Sequence, residues 1–432
     1  MRRYLFTAVL VAAISILATS LLYEFGVLHR AGLKMGAYLA DFGLVEEGAV
    51  PNRALHYLAF IVLGFATSWA FLDIPKMSHK WIVTVGIMLL VMGFSASLLV
   101  VGLFFEPFSS LFTVLLAAGL AFLYSLTSNG AQKSRLHQVL GNRISYETLS
   151  DLLDQGSSEF FHGENREVTV LSLRVFNLDD LREQLTPPDL IEMSNQFVRN
   201  SAEFLASRGA YLDESLPDRI RVFFGIYGSN PDHPLQACRV AKELEERLAN
   251  LNLEFQKNYF HEMRYGVAIA TGPVTLGIYR SPVDSRLSAI GELGEYAHKL
   301  SGTNHAYGSH TVINAETFAL VRQEFAVRPM ELMYDARSET MEEAYELLDL
   351  SDRLSEEDEV SRDQFWQGVV LYREGRAEEA LQIFSSLQAK RPLDQPLQYF
   401  IDRCQARIIG DHDLKGPGSL LIHGHARLLQ SI

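Results

Sequence analysis

Asp218 is the side chain best placed for chemistry, because it is predicted at the tip of a β-hairpin, where a carboxylate can face a ligand. It lies in the stretch at residues 209–225, GAYLDESLPDRIRVFFG. Apolar and polar residues alternate over residues 219–224, which predicts a half-buried strand. Residues 211–214 are predicted to form its partner strand, and the turn-forming run from Ser215 to Asp218 joins the two.

The elements around this hairpin are predicted to follow a β-α-β-β-α-β order. Residues 168–175 have the apolar, β-branched composition of a strand, and residues 188–207 and 235–251 carry apolar residues at helical spacing. Residues 263–270 and 274–279 are predicted to form a further pair of strands. Because this order closes into a sheet with helices on one face, the sequence predicts an α+β domain.

Five segments of this region resemble the class III adenylate/guanylate cyclase family in order and spacing. The chain reads VTVLSLRVF at 168–176 where the family reads VTVLFADIRGF, and YGVAIATGPVTLGIYRS at 265–281 where the family reads GIGINTGPVVVGNIGS. The hairpin, RLSAIGELGEYAHKLSG at 286–302 and ELMYDARSETMEEAYELL at 331–348 are similar to further family motifs. The resemblance implies a cyclase-like domain of the ferredoxin type over residues 159–350.

The resemblance also implies a reaction, in which a ribose 3′-oxygen attacks the α-phosphate of a nucleoside triphosphate. Two metal ions bridge the triphosphate and the nucleophile, so the family places two aspartates on adjacent strands. The first of these positions is Arg174 in this chain, and the second is retained as Asp218. Because Arg174 carries a fixed positive charge where a cation should bind, the two residues are predicted not to hold two Mg²⁺ ions.

The other family positions are altered as well. The ribose-orienting Asn and the Arg one helical turn later fall at Glu295 and Lys299. A carboxylate at Glu295 would repel a triphosphate, and Lys299 keeps the charge of an arginine without its bidentate geometry. The purine-reading Lys falls at Glu214, its Asp or Thr partner falls at Ser288, and Pro217 replaces the glycine before the second aspartate.

These replacements favour a catalytically inactive cyclase-like protein that needs no cofactor and acts as a structural or regulatory subunit or scaffold. It would work through a homodimer or heteromer of its cyclase-like domain, or through a membrane protein partner. One alternative is a divergent adenylate/guanylate cyclase, or the regulatory half of an active one, using Mg²⁺ or Mn²⁺. Another is a receptor that binds a nucleotide without turnover, with Arg174 against a phosphate. Asp218 is then interpreted as a turn residue paired with Arg174, or alternatively as a metal ligand.

Four apolar runs precede the cyclase-like region, at residues 4–23, 54–72, 81–105 and 108–126. Each is near the ~20 residues that cross the hydrocarbon core of a bilayer. Lys and Arg residues flank alternate ends, which predicts that both termini are cytoplasmic. Residues 1–128 are therefore predicted to form a four-span domain in a bacterial inner membrane, although a cleavable signal peptide is the alternative for the first run. The outer loop at residues 24–53 is predicted to pack on the bundle, and the alternatives are ligand or partner binding.

Three further segments complete the predicted organisation. Residues 129–158 resemble the short helical connector that joins membrane parts to catalytic domains in bacterial cyclases, and a plain amphipathic surface helix is the alternative. Residues 360–409 resemble one tetratricopeptide repeat. Since one repeat cannot bury both its faces, a helical hairpin packed on the cyclase-like domain is favoured over a peptide-binding groove. Residues 410–432 are a tail, with a short docking segment as the alternative.

Charge and cysteine content exclude two classes of protein. The net charge of −14 argues against a nucleic-acid partner, because phosphate binding requires a basic surface. The two cysteines, Cys238 and Cys404, lie far apart in the sequence, which suits a reducing cytoplasm and excludes a disulfide scaffold.

Overall fold

The computed structural model describes residues 2–43, 52–74, 77–100, 103–126, 139–141, 143–155, 163–227, 230–280, 285–335 and 340–410. Their contacts divide the chain into two compact units. One comprises Met1–Gly141 and Tyr146–Ser158, and the other comprises Asn142–Ser145 and Glu159–Ile432.

The first unit is helical. It contains α1 (Arg2–Glu24), α2 (Val27–Asp41), α3 (Arg53–Asp73), α4 (Met77–Val100), α5 (Pro107–Ser125) and α6 (Tyr146–Gln155). In the described part of the chain, four segments are long and apolar enough to cross a membrane: Leu5–Glu24, Arg53–Asp73, Met77–Val100 and Pro107–Ser125. The four predicted apolar runs are thereby confirmed as long helices.

Small residues lie where the helices of this unit meet. A Cβ on Gly64 of α3 would lie 2.9 Å from the Cγ1 of Ile16 in α1, and Ala117 and Ala121 of α5 are fully buried. Small side chains let membrane helices approach closely, where the contact is made by van der Waals packing. Helix α2 lies in the predicted outer loop, and its Gly32 is buried, which supports packing of this loop on the bundle.

An eight-stranded sheet forms the centre of the second unit. Its strands are β1 (Glu164–Val175), β2 (Tyr211–Leu216), β3 (Arg219–Phe224), β4 (Tyr265–Arg280), β5 (Ser285–Ile290), β6 (Thr311–Ile313), β7 (Phe325–Asp335) and β8 (Thr340–Leu350). The strand order is β2-β3-β1-β4-β6-β8-β7, and β5 pairs with β4. Strands β4 and β6 are parallel, and the other pairs are antiparallel. With its helices, this unit confirms the α+β class.

Alternation along β1 and β3 places Leu173 and Val222 on one face of the sheet and the arginines at 174, 219 and 221 on the other. Leu173 and Val222 belong to the main apolar core, which is covered by helices on the same face. The helices before β7 are α7 (Leu178–Gln184), α8 (Pro187–Ser207), α9 (His233–Tyr259), α10 (Leu293–Tyr307) and α11 (Ala315–Val321). Arg174 and Arg221 occupy the alternate positions of the two strands, on the face where α10 begins.

Two details of the predicted strands are wrong. Residues 263–270 and 274–279 do not form a strand pair, because β1 continues opposite them and pairs Val168 with Gly272, so that β4 is one strand. The hairpin turn is also tighter than predicted. Strand β2 reaches Leu216, which pairs with Arg219, so Pro217 and Asp218 alone form the turn.

Up to residue 410, where the described residues end, three helices follow the sheet: α12 (Glu356–Arg373), α13 (Ala377–Lys390) and α14 (Gln395–Ile409). The predicted hairpin corresponds to α12 and α13, and α14 is a third helix that was not predicted separately. Asp394, just before α14, accepts two hydrogen bonds from Arg328 of β7, at 2.7 and 2.9 Å. Arg403 of α14 donates to Glu331 of β7 at 2.5 Å. The helices therefore pack on the sheet domain, as expected.

Candidate functional site

The β2–β3 hairpin carries a β-bulge that brings two carboxylates to one arginine. Leu212 pairs with Val222 and Glu214 pairs with Arg221, so Asp213 is the additional residue of β2. A bulge of this kind places two residues of one strand opposite one residue of its partner. Asp213 and Glu214 can therefore both contact Arg221.

Arg221 binds three carboxylates from two elements. Its Nε donates to Asp213 Oδ2 at 2.8 Å, its Nη2 lies 3.6 Å from Glu214 Oε2, and its Nη1 donates to Glu295 Oε1 at 3.3 Å. Burial alone would lower the pKa of the guanidinium, but the carboxylates, Asp213 foremost, raise it above its ordinary value. We call these four residues, Asp213, Glu214, Arg221 and Glu295, the Arg221 cluster.

The cluster reaches from the interior to the surface. Asp213 is 6% exposed, whereas the side chain of Glu295 is 65% exposed and lies in the first turn of α10. A carboxylate is favourable there because the helix N-terminus carries a partial positive charge. The positions predicted for a purine-reading lysine and a ribose-orienting asparagine, Glu214 and Glu295, are thus joined through one arginine.

The two predicted metal positions lie close in the fold. Arg174 of β1 is directly opposite Arg219 of β3, and the Val175 N–H donates to the Asp218 carbonyl at 2.8 Å. The Asp218 side chain is exposed at the turn. Among the described residues, no ion pair within 4 Å joins Arg174 to Asp218, so the predicted pairing is not formed.

The charges around Arg174 decide against a pair of divalent cations. Burial lowers the pKa of the Arg174 guanidinium, Asp218 opposes this effect, and the neighbouring Arg219 adds to it. The Arg174 Nη1 is buried and has no hydrogen-bond partner in the described part of the chain. One exposed carboxylate beside two cross-strand arginines does not fit Mg²⁺ or Mn²⁺, which require several oxygen ligands.

The remaining predicted residues lie around this face. Lys299 is half-buried on α10, and Ser288 is half-buried on β5, opposite Gly277 of β4. The Tyr211 hydroxyl of β2 donates to the Leu287 carbonyl at 2.6 Å, so β5 contacts the hairpin next to Ser288.

The charges of the same arginines act on His298, which is also on α10. Burial lowers the pKa of its imidazole, and Arg174 and Arg219 lower it further. The region between β1, β3 and α10 is therefore crowded with guanidinium groups, which are opposed by carboxylates of the same chain.

Arg143, in the segment predicted as the connector, forms hydrogen bonds with β2 at the edge of this site. The Leu212 N–H donates to the Arg143 carbonyl at 2.8 Å, and Arg143 Nη1 donates to the carbonyls of Leu212 and Asp213 at 3.2 and 2.8 Å. Because β2 is an edge strand, these bonds satisfy backbone groups that would otherwise face solvent.

Asp213, Arg221 and Arg143 belong to this candidate site and were not predicted from the sequence. The alternation of β3 places Arg219 and Arg221 on one face, and this signal was available in the sequence. The sequence gives no comparable signal for the bulge, because a bulge depends on the pairing register of two strands.

No family model matches the chain. Adenylate cyclase 1 of Rhizobium meliloti (strain 1021) is 22% identical over 165 residues, which cover 38% of this chain and 25% of that protein. Adenylate cyclase, terminal-differentiation specific, of Dictyostelium discoideum is 22% identical over 279 residues, which cover 62% of this chain and 13% of that protein. The chain thus spans a quarter or less of the length of these relatives.

Solved cyclase structures are also similar to the chain. The adenylyl cyclase CyaB from P. aeruginosa is 17% identical with a TM-score of 0.41, and the match covers 45% of this chain and 100% of that one. A bacterial light-regulated adenylyl cyclase is 14% identical with a TM-score of 0.42, and the match covers 54% and 65% of the two chains. From its sequence relatives and the five motifs described above, the chain is related to the class III adenylate/guanylate cyclase family.

Proposed function

We propose that this chain is a membrane-anchored cyclase-like protein without cyclase activity, which acts as a structural or regulatory subunit or scaffold. It would act through dimerisation of the cyclase-like domain or through a membrane protein partner in a bacterial cytoplasmic membrane. The four long apolar helices would supply the anchor.

The observation that carries this proposal is the Arg221 cluster. Glu214 and Glu295, at positions where the family resemblance implies a base-reading lysine and a ribose-orienting asparagine, are carboxylates that already bind Arg221. A triphosphate at this place would meet negative charge where it needs hydrogen-bond donors. Moving Arg221 away to admit a ligand would leave the buried Asp213 carboxylate without its partner, which is costly.

The residues at the two predicted metal-binding positions support the same proposal. Catalysis by two metal ions needs carboxylates facing each other on adjacent strands, and β1 and β3 present Arg174 opposite Arg219. Asp218 then serves as a turn residue, whose main chain is bonded to β1.

The C-terminal helices would add a surface for assembly. Their resemblance to a tetratricopeptide repeat stays part of this proposal. The supporting observation is that α12 and α13 form an αα-hairpin with its turn at Gly375, where φ is 89°.

A second candidate function is the regulatory half of an active cyclase. Asp218 and Lys299 keep the sign of charge that the family has at these positions, and both side chains have some solvent access. In a mixed dimer, this chain would contribute those two groups to a site completed by a partner with intact metal ligands. The two sequence relatives are both named as adenylate cyclases, which is in keeping with such a partner.

Equilibrium binding to the full-length protein in lipid nanodiscs tests the proposal. ATP and GTP are titrated with Mg²⁺, with Mn²⁺ and with EDTA, and native mass spectrometry of the same sample reports the oligomeric state. We expect a dimer, or a complex with a partner, and no saturable nucleotide binding. Metal-dependent binding that is lost in Asp218→Ala would overturn the proposal and favour a cyclase-type site. Activation of a separate intact cyclase by the added chain would support the second candidate.

A further inference from the structure

A buried histidine–glutamate pair lies at one end of the helical bundle. His56 is in the first turns of α3 and Glu106 immediately precedes α5, and both side chains are 0% exposed. His56 Nε2 lies 3.5 Å from Glu106 Oε2 and 3.1 Å from the Glu106 main-chain oxygen. His56 Nδ1 lies 2.8 Å from the Asn52 carbonyl oxygen. The pair lies far from the Arg221 cluster in sequence and belongs to the other compact unit.

The partners of His56 fix how many protons the pair holds. A carbonyl oxygen can only accept a hydrogen bond, so an imidazole with carbonyls at both nitrogens donates from both and is positively charged. Glu106 then balances this charge as a carboxylate. Moving the Nε2 proton onto Glu106 gives a neutral histidine and a carboxylic acid, with the same number of protons. In either arrangement, the pair as a whole is uncharged.

The surroundings of Glu106 hold the pair in place. Its carboxylate accepts hydrogen bonds from the Ser109 N–H at 3.1 and 3.2 Å and from the Ser109 hydroxyl at 2.8 Å. Helix α2 crosses directly over it, because a Cβ on Gly32 would lie 2.8 Å from Glu106 Cγ. Helix α2 therefore shields the Glu106 side chain from solvent on this side, and the side chain is 0% exposed.

Aromatic side chains from α1, α2 and the segment before α5 surround the pair. The Tyr23 ring of α1 stacks on His56 with centroids 5.6 Å apart, and Phe105 stacks on the other side at 4.5 Å. His29 of α2 contacts Tyr23 edge to face at 5.2 Å. The Tyr23 hydroxyl is buried without a hydrogen-bond partner among the described residues.

Charged groups surround this core at the surface. Arg53 of α3 lies 3.8 Å from Glu24 of α1, and both side chains are more than half exposed. The Tyr57 hydroxyl of α3 also donates to Glu24. Because these groups are exposed and screened by solvent, they cannot replace the charge that His56 provides to the buried Glu106.

We propose that His56 and Glu106 form a proton-binding site that holds α1, α2, α3 and α5 together at this end of the bundle. Loss of one proton leaves a net negative charge with no solvent access, which separates the helices around it. In the topology predicted from the flanking Lys and Arg residues, this end faces away from the cytoplasm. The site therefore responds to the pH outside the membrane, and a change in that pH changes how closely the helices of the bundle pack.

Hydrogen–deuterium exchange on the full-length protein in nanodiscs tests this site. Exchange is followed between about pH 5 and pH 9, the range that spans ordinary Glu and His titration, and is corrected for intrinsic rates. We expect amides near residues 52–60 and 106–110 to exchange about tenfold faster, or more, once the pair loses a proton. His56→Phe and Glu106→Gln should remove this pH dependence, and His79→Gln, an exposed histidine of α4, should retain it.

Nitrogen-15 NMR of the His56 ring in the unmodified protein keeps the test independent of whether these variants fold. Before the transition, we expect either two protonated ring nitrogens or one proton shared between Nε2 and Glu106. Nitrogen-15 shifts of the ring that stay constant across the whole pH range would overturn the proposal. Equal pH dependence of exchange in His56→Phe and the unmodified protein would also overturn it.

Discussion

Asp213 and Glu295 bind the same arginine, but burial makes their energetic roles different. Asp213 lies inside the hairpin, whereas Glu295 is largely exposed. Breaking a buried ion pair costs about 3–5 kcal/mol, and an exposed pair contributes at most about 1 kcal/mol. The inner half of the Arg221 cluster therefore stabilises the hairpin, and the outer half mainly sets the charge that a ligand would meet.

Replacing Arg221 tests this difference directly. Arg221→Met should lower the free energy of local unfolding of the hairpin by about 2–4 kcal/mol, because it leaves the Asp213 carboxylate buried and unpaired. Arg219→Met is the matched control. Arg219 lies on the same face two residues earlier and is more exposed, and its one ion pair among the described residues is with Glu214, at 3.4 Å. Arg219→Met should lower the free energy of local unfolding of the hairpin by less than about 1 kcal/mol. Hydrogen exchange of β2 and β3 amides measures both, and equal effects would contradict the account.

Two histidines of the second unit should make its stability depend on acid. Burial lowers the pKa of both His298 and His233. The unfolded chain therefore takes up these protons first as the pH falls below about 6.5, the ordinary histidine value. Stability from this source is complete above that pH and is lost as the pH falls towards the native pKa values.

The arginines beside His298 give a sharper expectation. Arg174→Gln should raise the pKa of His298, because Arg174 is the largest charged contribution that lowers it. The pKa of His233 should not change, since the charged residue near it is Glu167, which raises its pKa. NMR titration of histidine-labelled protein reports both residues in one experiment. An unchanged His298 pKa would show that Arg174 does not face α10.

At the scale of elements, α14 and the end of α10 fit together at one glycine. Gly308 has φ 69°, and a Cβ there would lie 2.2 Å from Oε1 and 2.3 Å from Cβ of Gln395. Gly308→Ala should therefore strain the backbone and displace α14, with a cost of roughly 2–4 kcal/mol.

Gly410→Ala provides the control for backbone strain alone. Gly410 has φ 75°, and a Cβ there meets nothing within 4 Å. This variant should cost only the roughly 1–2 kcal/mol of a left-handed residue. Limited proteolysis and hydrogen exchange of α14 distinguish the two variants. Equal loss of protection in both would show that Gln395 does not lie against Gly308.

The connector residue Arg143 should protect the edge strand β2. Arg143→Ala removes two hydrogen bonds to the carbonyls of Leu212 and Asp213. We expect faster exchange of β2 amides, corresponding to about 1–2 kcal/mol. Arg208→Ala, which breaks a half-exposed ion pair with Glu243, should leave β2 unchanged. Protection of β2 that survives Arg143→Ala would show that the Arg143 side chain does not stabilise this edge strand.

At the scale of the whole molecule, local patterns predicted more than long-range ones did. The four apolar helices and most strands follow from hydropathy and alternation, which are properties of short windows. The bulge at Asp213 and the continuous β4 depend on which strand lies alongside, so local pattern misplaced them. The His56–Glu106 pair joins residues 50 positions apart, and sequence spacing gives no sign of such a contact. The altered charges of the candidate site were predicted, but their closure around Arg221 was not.

Cyclic nucleotide production by the full-length protein in lipid is the most direct test of the central claim. The assay supplies ATP or GTP with Mg²⁺ or Mn²⁺, compares the protein with Asp218→Ala, and includes an intact cyclase as positive control. Because Arg174 and the Arg221 cluster stand where the family resemblance implies metal-binding and nucleotide-binding groups, we predict product no higher than in protein-free lipid for both forms. Cyclic nucleotide above that level, abolished by Asp218→Ala, would contradict the account.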